Sequence, residues 1–234
     1  MNRFITKSLA LVALVGAITA YSTSKAEAAF VAAICNDAAC DGVGDIIVAD
    51  NTAGDTLAGA GAINISGSVG GLTVVVNTSQ SKPLIGSAAA PQLDLTYTVT
   101  GTGTVWLYTS DTDFTGTGTG TGIIDGNSTG SANITGILAG GNDNTNFNGP
   151  GNTNLDLTGA VTGADNVGPD TNINLSKFFG TTTPYFATIG IKVERLDSGT
   201  STGDYNLTVP EPATLSILGL GLAGLAARRR RATR

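Results

Sequence analysis

Leu93, Leu95, Tyr97 and Val99 alternate with Asp94, Thr96, Thr98 and Thr100, the cleanest period of two in the sequence. Successive side chains of a strand point to opposite faces, so this stretch predicts a strand with one face buried. The same pattern recurs at Ile63 and Ile65, at Leu72, Val74 and Val76, and at Tyr185, Ala187, Ile189, Ile191 and Val193, where Lys192 and Glu194 face out. It returns at Tyr205, Leu207 and Val209. Ile46 to Val48, Ile134 to Leu138, Leu155 to Leu157 and Ile173 to Leu175 predict shorter strands. Val105 to Tyr108 is apolar on both faces and predicts a central one.

Clusters of Gly, Asn, Asp and Pro separate these segments and mark turns. No stretch of helical length between them carries a period of 3.6. Roughly ten short strands punctuated by turns predict an all-β fold, an antiparallel β-sandwich, of which the jelly roll is one form. Thr115 to Gly122, an alternating Gly/Thr run, and Gly140 to Gly151, dense in Asn and Gly, are predicted as exposed mobile loops. The ends of the first could pair as an edge hairpin.

The two ends of the chain follow different patterns. Arg3 and Lys7 precede an uncharged, mostly apolar run from Leu9 to Ala20, and Ala26-Glu27-Ala28 has the form of an A-x-A cleavage site. These features predict a signal peptide over residues 1–28, handled by the Sec machinery and signal peptidase. At the other end Val209-Pro210-Glu211-Pro212 leads into an uncharged segment, Ala213 to Ala227, that ends in Arg228, Arg229, Arg230 and Arg231. A helix over that segment would be about 22 Å long, against a hydrocarbon core of roughly 30 Å. It predicts a short transmembrane helix in the inner membrane, its arginines on the cytoplasmic side. The domains so predicted are 1–28, a β-sandwich over 29–208, and a sorting segment over 209–234. Gly219-Leu-Gly-Leu-Ala-Gly224 has the G-x-G-x-x-G spacing, but it lacks the strand before it and the acidic residue after it that dinucleotide binding needs.

Pro-Glu-Pro, apolar helix and arginine cluster, in that order, resemble the PEP-CTERM sorting signal of Gram-negative bacteria. The resemblance covers Val209 to Arg231. It implies an exported protein recognised and cleaved near Pro210-Glu211-Pro212 by an exosortase, a membrane transpeptidase. It implies nothing about the fold of residues 29–208.

Charge sharpens this picture. The chain holds 12 basic and 18 acidic residues, for a net charge of −6. Most of the basic residues lie in the two end segments. Between residues 29 and 209 only Lys82, Lys177, Lys192 and Arg195 stand against 16 carboxylates, a formal charge of −12. Such a surface disfavours nucleic acid and anionic lipid as partners and suits divalent cations. There is no histidine, which removes the commonest general base and any Ser-His-Asp triad.

Cys35 and Cys40, close together in an exported chain, predict a disulfide that pins the N-terminal segment. Closing so small a loop contributes only about 2 kcal/mol. Asp41, Asp45, Asp50 and Asp55 lie in oxygen-rich loops and are the candidate ligands for a calcium ion, beside the simpler reading as Asx turns. Asp111-Thr-Asp113 and Asn142-Asp-Asn144 are read as loops of the same kind. Gly126-Asn-Ser128-Thr-Gly130 fits G-x-S-x-G without the histidine that motif requires, so Ser128 is a turn residue. Ser79-Gln-Ser-Lys82 fits S-x-x-K, but Pro83 follows and no helix surrounds it, so it reads as a strand end. Trp106, Tyr97 and Tyr108 are core residues, with sugar stacking as the alternative.

The function expected is that of a non-enzymatic surface or matrix protein, without catalytic residues or an obligate cofactor and with exopolysaccharide as one partner. Alternatives are a carbohydrate-binding module, calcium-assisted or not, and a hydrolase using paired carboxylates.

Overall fold

The computed structural model describes residues 30–141, 144–145, 157, 160–166 and 170–210. The predicted signal peptide, Glu211, Pro212, the C-terminal helix and the arginine cluster lie outside these residues, as do Leu155 and most of Gly140 to Gly151. Every described strand pairing is antiparallel, and there is no helix among the described residues.

Ten strands follow in order: β1 (Val31–Cys35), β2 (Ile46–Ala49), β3 (Ala62–Val69), β4 (Leu72–Gln80), β5 (Gln92–Phe114), β6 (Gly118–Ser128), β7 (Ala132–Ala139), β8 (Val161–Asn166), β9 (Asp170–Phe179) and β10 (Tyr185–Thr208). Two of them are far longer than expected. The segments 93–99 and 105–108 are parts of one strand of 23 residues, and 185–193 and 205–209 belong to one of 24 that ends at Thr208.

β5 and β10 form a continuous antiparallel ribbon with an irregularity between Arg195 and Gly199. On one side of that point Gln92 to Gly101 pairs with Gly199 to Thr208. Adding β3 and β4 beyond β5, and β6 and β9 beyond β10, makes the first layer, β3-β4-β5-β10-β6-β9. On the other side Gly103 to Phe114 pairs with Tyr185 to Arg195. There β1 and β2 flank β5, and β7 and β8 flank β10, giving the second layer, β2-β1-β5-β10-β7-β8. A strand that bends at a bulge can pass from one sheet of a sandwich to the other. Here both strands of the ribbon do so together.

The layers bury one continuous core between them. Val76, Leu95, Tyr97 and Tyr205 of the first layer pack with Leu107, Ile134, Ile189 and Val193 of the second. Small residues let the layers meet. A side chain at Gly67 in β3 would strike Ile46 of β2, and one at Gly136 in β7 would strike Ile124 of β6. Tyr205 in β10 donates its hydroxyl to the Ile137 carbonyl across the core, at 3.1 Å.

The bend in the ribbon is built around one charge. The Arg195 side chain is fully buried. Its Nε donates to the Gly101 carbonyl at 3.1 Å, its Nη1 to the Ser201 hydroxyl at 2.6 Å and its Nη2 to the Thr129 carbonyl at 2.6 Å. Those acceptors lie on β5, on β10 beyond the bulge, and in the β6–β7 turn. Gly101 and Gly103, opposite the bulge, have φ of 120° and 138°, where a side chain would be strained. The bend therefore needs glycine on one strand and a forked donor on the other.

The Gly/Thr run corrects an expectation. Thr115 to Gly122 is not an exposed loop. From Gly118 onward it enters β6, an interior strand between β10 and β9. Glycine occupies the inward positions because aromatic rings occupy the space. A Cβ at Gly120 would lie 2.7 Å from the Phe179 ring, and one at Gly122 would lie 2.8 Å from the Tyr205 ring. Threonine takes the outward positions.

Asp111 and Asp113 are likewise strand residues at the end of β5 rather than part of a loop. The Asp113 amide donates to Asn144 Oδ1 at 2.6 Å, joining two of the segments read as oxygen-rich.

Gly122→Ala places a methyl against a buried ring whose hydroxyl is already committed. It should destabilise the domain by about 1–3 kcal/mol, the usual range for overpacking. Gly118→Ala, where the nearest contact is 3.3 Å away, should cost less. Urea unfolding of the two variants checks the order.

Candidate functional site

The outward face of the first layer is mostly polar, with Val75 on β4, Ile123 on β6 and Phe178 on β9 as apolar exceptions. Inward positions of β5 carry Leu93, Leu95, Tyr97 and Val99, so Asp94, Thr96, Thr98 and Thr100 stand outside. On β10 the outward residues are Thr200, Thr202, Asp204, Asn206 and Thr208. On β6 they include Asp125 and Asn127.

These side chains bond to one another across strands. Asn77 donates to Thr98 Oγ1 at 3.0 Å, Thr96 to Asp204 Oδ1 at 2.8 Å and Asn172 to Asp125 Oδ1 at 3.3 Å. Asn206 also donates to Asp204. Such cross-strand pairs hold the register of a face that has no apolar packing of its own. Lys and Arg take no outward position on the described strands of this layer.

Near its centre lies an open depression of about 470 Å³, its polar rim made by Asn77, Thr96, Thr98, Asp125, Asn127 and Asp204. Its floor is backbone at Gly126 and Gly203. Glycine at both of these paired positions leaves room for the Tyr97 hydroxyl, which a Cβ at Gly203 would meet at 2.7 Å.

Beside the depression Asp94 and Asp204 interact. Partial burial, then the charge of Asp204 and a hydrogen bond with it, push the Asp94 carboxyl up to about 7. Asp94 therefore keeps its proton at pH values where an ordinary aspartate has lost it.

Apart from Tyr97, whose buried side chain lies beneath the depression, the residues singled out in the sequence fall elsewhere. Cys35 and Cys40 form a disulfide, with 5.1 Å between their Cα atoms. It lies on the outer face of the second layer, in a small apolar cluster with Ala33, Tyr108 and Ile137, against which Trp106 packs. The Tyr108 hydroxyl donates to the Ala38 carbonyl at 2.9 Å and ties the loop down. Tyr97 and Tyr108 are buried.

Asp45 accepts the amides of Asn36 and Gly42, both at 2.8 Å. Asp55 accepts those of Asn51, Leu57 and Asn64, and Asp50 that of Gly61. Asp41 is exposed. Asp45 thus shapes the β1–β2 loop, and Asp50 and Asp55 together shape the β2–β3 loop. Among the described residues no group of three or more acidic or cysteine side chains is placed to hold a metal ion. Ser128 ends β6, with its hydroxyl 2.8 Å from that of Ser201.

The sorting segment begins inside the fold. Val209 is fully buried, and its amide donates to the Pro91 carbonyl at 2.9 Å. Pro210, the next residue, is exposed.

The family described as the PEP-CTERM protein-sorting motif matches residues 208–231. The C-terminus therefore carries that motif. No curated protein matches the chain in sequence. Among solved structures, the fold is similar to TmCBM61 in complex with β-1,4-galactotriose, at 8% identity and a TM-score of 0.34, over 59% of this chain and 88% of that one. It is also similar to the enzymatically active domain of tailspike protein 4 of bacteriophage CBA120, at 11% and 0.33, over 61% of this chain and 18% of that one. A family 11 carbohydrate-binding module from Clostridium thermocellum, in complex with a mixed-linked tetrasaccharide, matches at 16% and 0.31, over 66% and 92%. Scores this low assign this chain no ligand and no activity.

A raised carboxyl makes a specific pH signature. The folded state keeps the Asp94 proton up to about 7, whereas the unfolded chain releases it near 3.8. Between those values the native state binds more protons, so stability falls as pH rises and levels off above the folded value. Asp94→Asn should remove that slope. Urea midpoints measured across the window, wild type against variant, check it.

Proposed function

We propose that this is an exported structural protein of the cell surface or extracellular matrix, held first at the inner membrane by its C-terminal segment and then released or transferred by an exosortase. The observation that carries the reading is the sorting motif at 208–231, joined to the domain without a linker. β10 ends at Thr208, Val209 is the last residue anchored in the core, and the exposed Pro210 begins the processing sequence. The folded domain thus places Pro210, at the start of the processing sequence, on its surface. A cut beyond Val209 removes the tail and leaves every described strand intact. The role is non-enzymatic: what the domain delivers is a closed sandwich with an acidic, hydrogen-bonding face.

A chain ending at Val209 should unfold at the same urea concentration as the full chain and yet be lost from the envelope fraction. Cell fractionation of the two in a host with an exosortase tests this. If both chains stay in the same fraction, the sorting role is refuted.

A second reading, carbohydrate binding, is favoured by the depression rimmed by Asn77, Asp125, Asn127 and Asp204. Amide and carboxylate side chains around an open recess suit sugar hydroxyls. Asp125→Ala with Asn127→Ala should then abolish co-sedimentation with the host's exopolysaccharide while leaving thermal unfolding within a few degrees of wild type. A wild-type protein that does not co-sediment refutes this reading and leaves the structural one standing.

A further inference from the structure

A second group of polar residues is enclosed inside the domain, where neither the sorting motif nor the polar face makes use of it. Ser81 and Lys82 directly follow β4, which belongs to the first layer. Asp111 sits near the end of β5, in the part that belongs to the second. Asp111 is completely buried, and the Lys82 side chain is 14% exposed. Lys82 Nζ lies 2.8 Å from Asp111 Oδ2 and 4.2 Å from the centre of the Phe114 ring. Ser81 donates its hydroxyl to the same Oδ2 at 2.5 Å, and the Thr112 amide donates to Oδ1 at 2.7 Å. The Thr112 carbonyl accepts from Nζ.

These contacts arrange an amine against an acyl carbon whose two oxygens are both held by donors. An ion pair on a surface is separated by water. This one is enclosed, where charge separation is costly. Burial pushes the Asp111 carboxyl up, against the opposing pull of Lys82, Ser81 and Thr112. A lysine and an acid kept in this geometry, without solvent between them, have the proximity that turns a bimolecular condensation into an intramolecular one.

We propose that Lys82 and Asp111 form an intramolecular amide, a covalent cross-link between the two layers of the sandwich. The ammonium first passes a proton to the carboxylate it touches, giving an amine and a carboxylic acid. The Nζ lone pair then attacks Cγ. The Thr112 amide and the Ser81 hydroxyl hold the two oxygens of the tetrahedral intermediate. Its C–O bond to one hydroxyl breaks, and that hydroxyl leaves as water with a second proton from Nζ, relayed by Ser81. One C–N bond forms, one C–O bond breaks, one water is released, and nothing is oxidised or reduced. The link ties together residues 29 positions apart. The Cys35–Cys40 disulfide closes only a loop on the outer face of one layer and does not join the two.

Intact mass spectrometry of the mature chain recovered after export, with both ends sequenced, tests this directly. The wild type should be lighter than its sequence by one water beyond the two hydrogens of the disulfide, and the deficit should persist after reduction of the disulfide. A chymotryptic digest should yield a branched peptide containing Lys82 and Asp111. Lys82→Arg should restore the full mass. A wild-type mass short of only the disulfide hydrogens overturns the proposal, whatever the variant does. So does a water deficit that survives in Lys82→Arg, because the loss then lies at another residue.

Discussion

The buried guanidinium of Arg195 is the interaction on which the architecture depends. A ribbon of two long strands has no intrinsic reason to bend sharply, and a straight ribbon would leave both of its faces half in water. At the bulge between Arg195 and Gly199 the ladder is interrupted. Arg195 meets two carbonyl oxygens and a hydroxyl with donors in a fixed planar fork, which a lysine could not do. It connects β5, β10 and the β6–β7 turn at one point. The nearest carboxylate, Asp197, lies 3.5 Å away and is half exposed. The charge is therefore solvated chiefly by backbone and hydroxyl oxygens rather than by an ion partner. With the ribbon folded at this point, the two layers it feeds must face each other.

The remaining features follow from closing two layers over one core. Inward positions that meet an opposing ring or branched side chain become glycine, as at Gly67, Gly120, Gly122 and Gly136. Outward positions of the first layer are mostly Thr, Asn and Asp, several of which bond across strands. The outer face of the second layer is instead covered by the disulfide loop, which shelters Tyr108 and Trp106. The C-terminal end of the ribbon leaves the core at Val209, so the sorting motif overlaps the end of the domain at Thr208 and Val209.

The period of two was enough to read the all-β class, the antiparallel sandwich and most strands. It failed where burial does not look hydrophobic. β6 was missed in part because its inward residues are glycines, which carry no apolar signal even when they lie against Phe179 and Tyr205. β1 was missed for the opposite reason: Val31–Cys35 is buried on both faces and does not alternate. The two long strands were read as four because Gly101, Gly103 and Gly199 look like turn residues, although here they bend strands without ending them. Of the chemistry, the disulfide and the sorting motif were legible as local patterns. The polar face was not, because it combines positions from six strands. Lys82 was noticed as one of four cations and within an S-x-x-K motif, and Asp111 as an oxygen-rich residue, but their pairing depends on how the layers stack.

Arg195→Met tests the central role of the bend most directly, because methionine keeps much of the volume and removes every hydrogen bond. The Gly101 and Thr129 carbonyls and the Ser201 hydroxyl would then be buried without their donor, each at about 1–3 kcal/mol. Urea unfolding of the variant should show a loss of about 3 kcal/mol or more, with amide protection falling in both layers together. Stability within about 0.5 kcal/mol of wild type, the range of an inconsequential surface change, would contradict the account and show that the ribbon bends without its arginine.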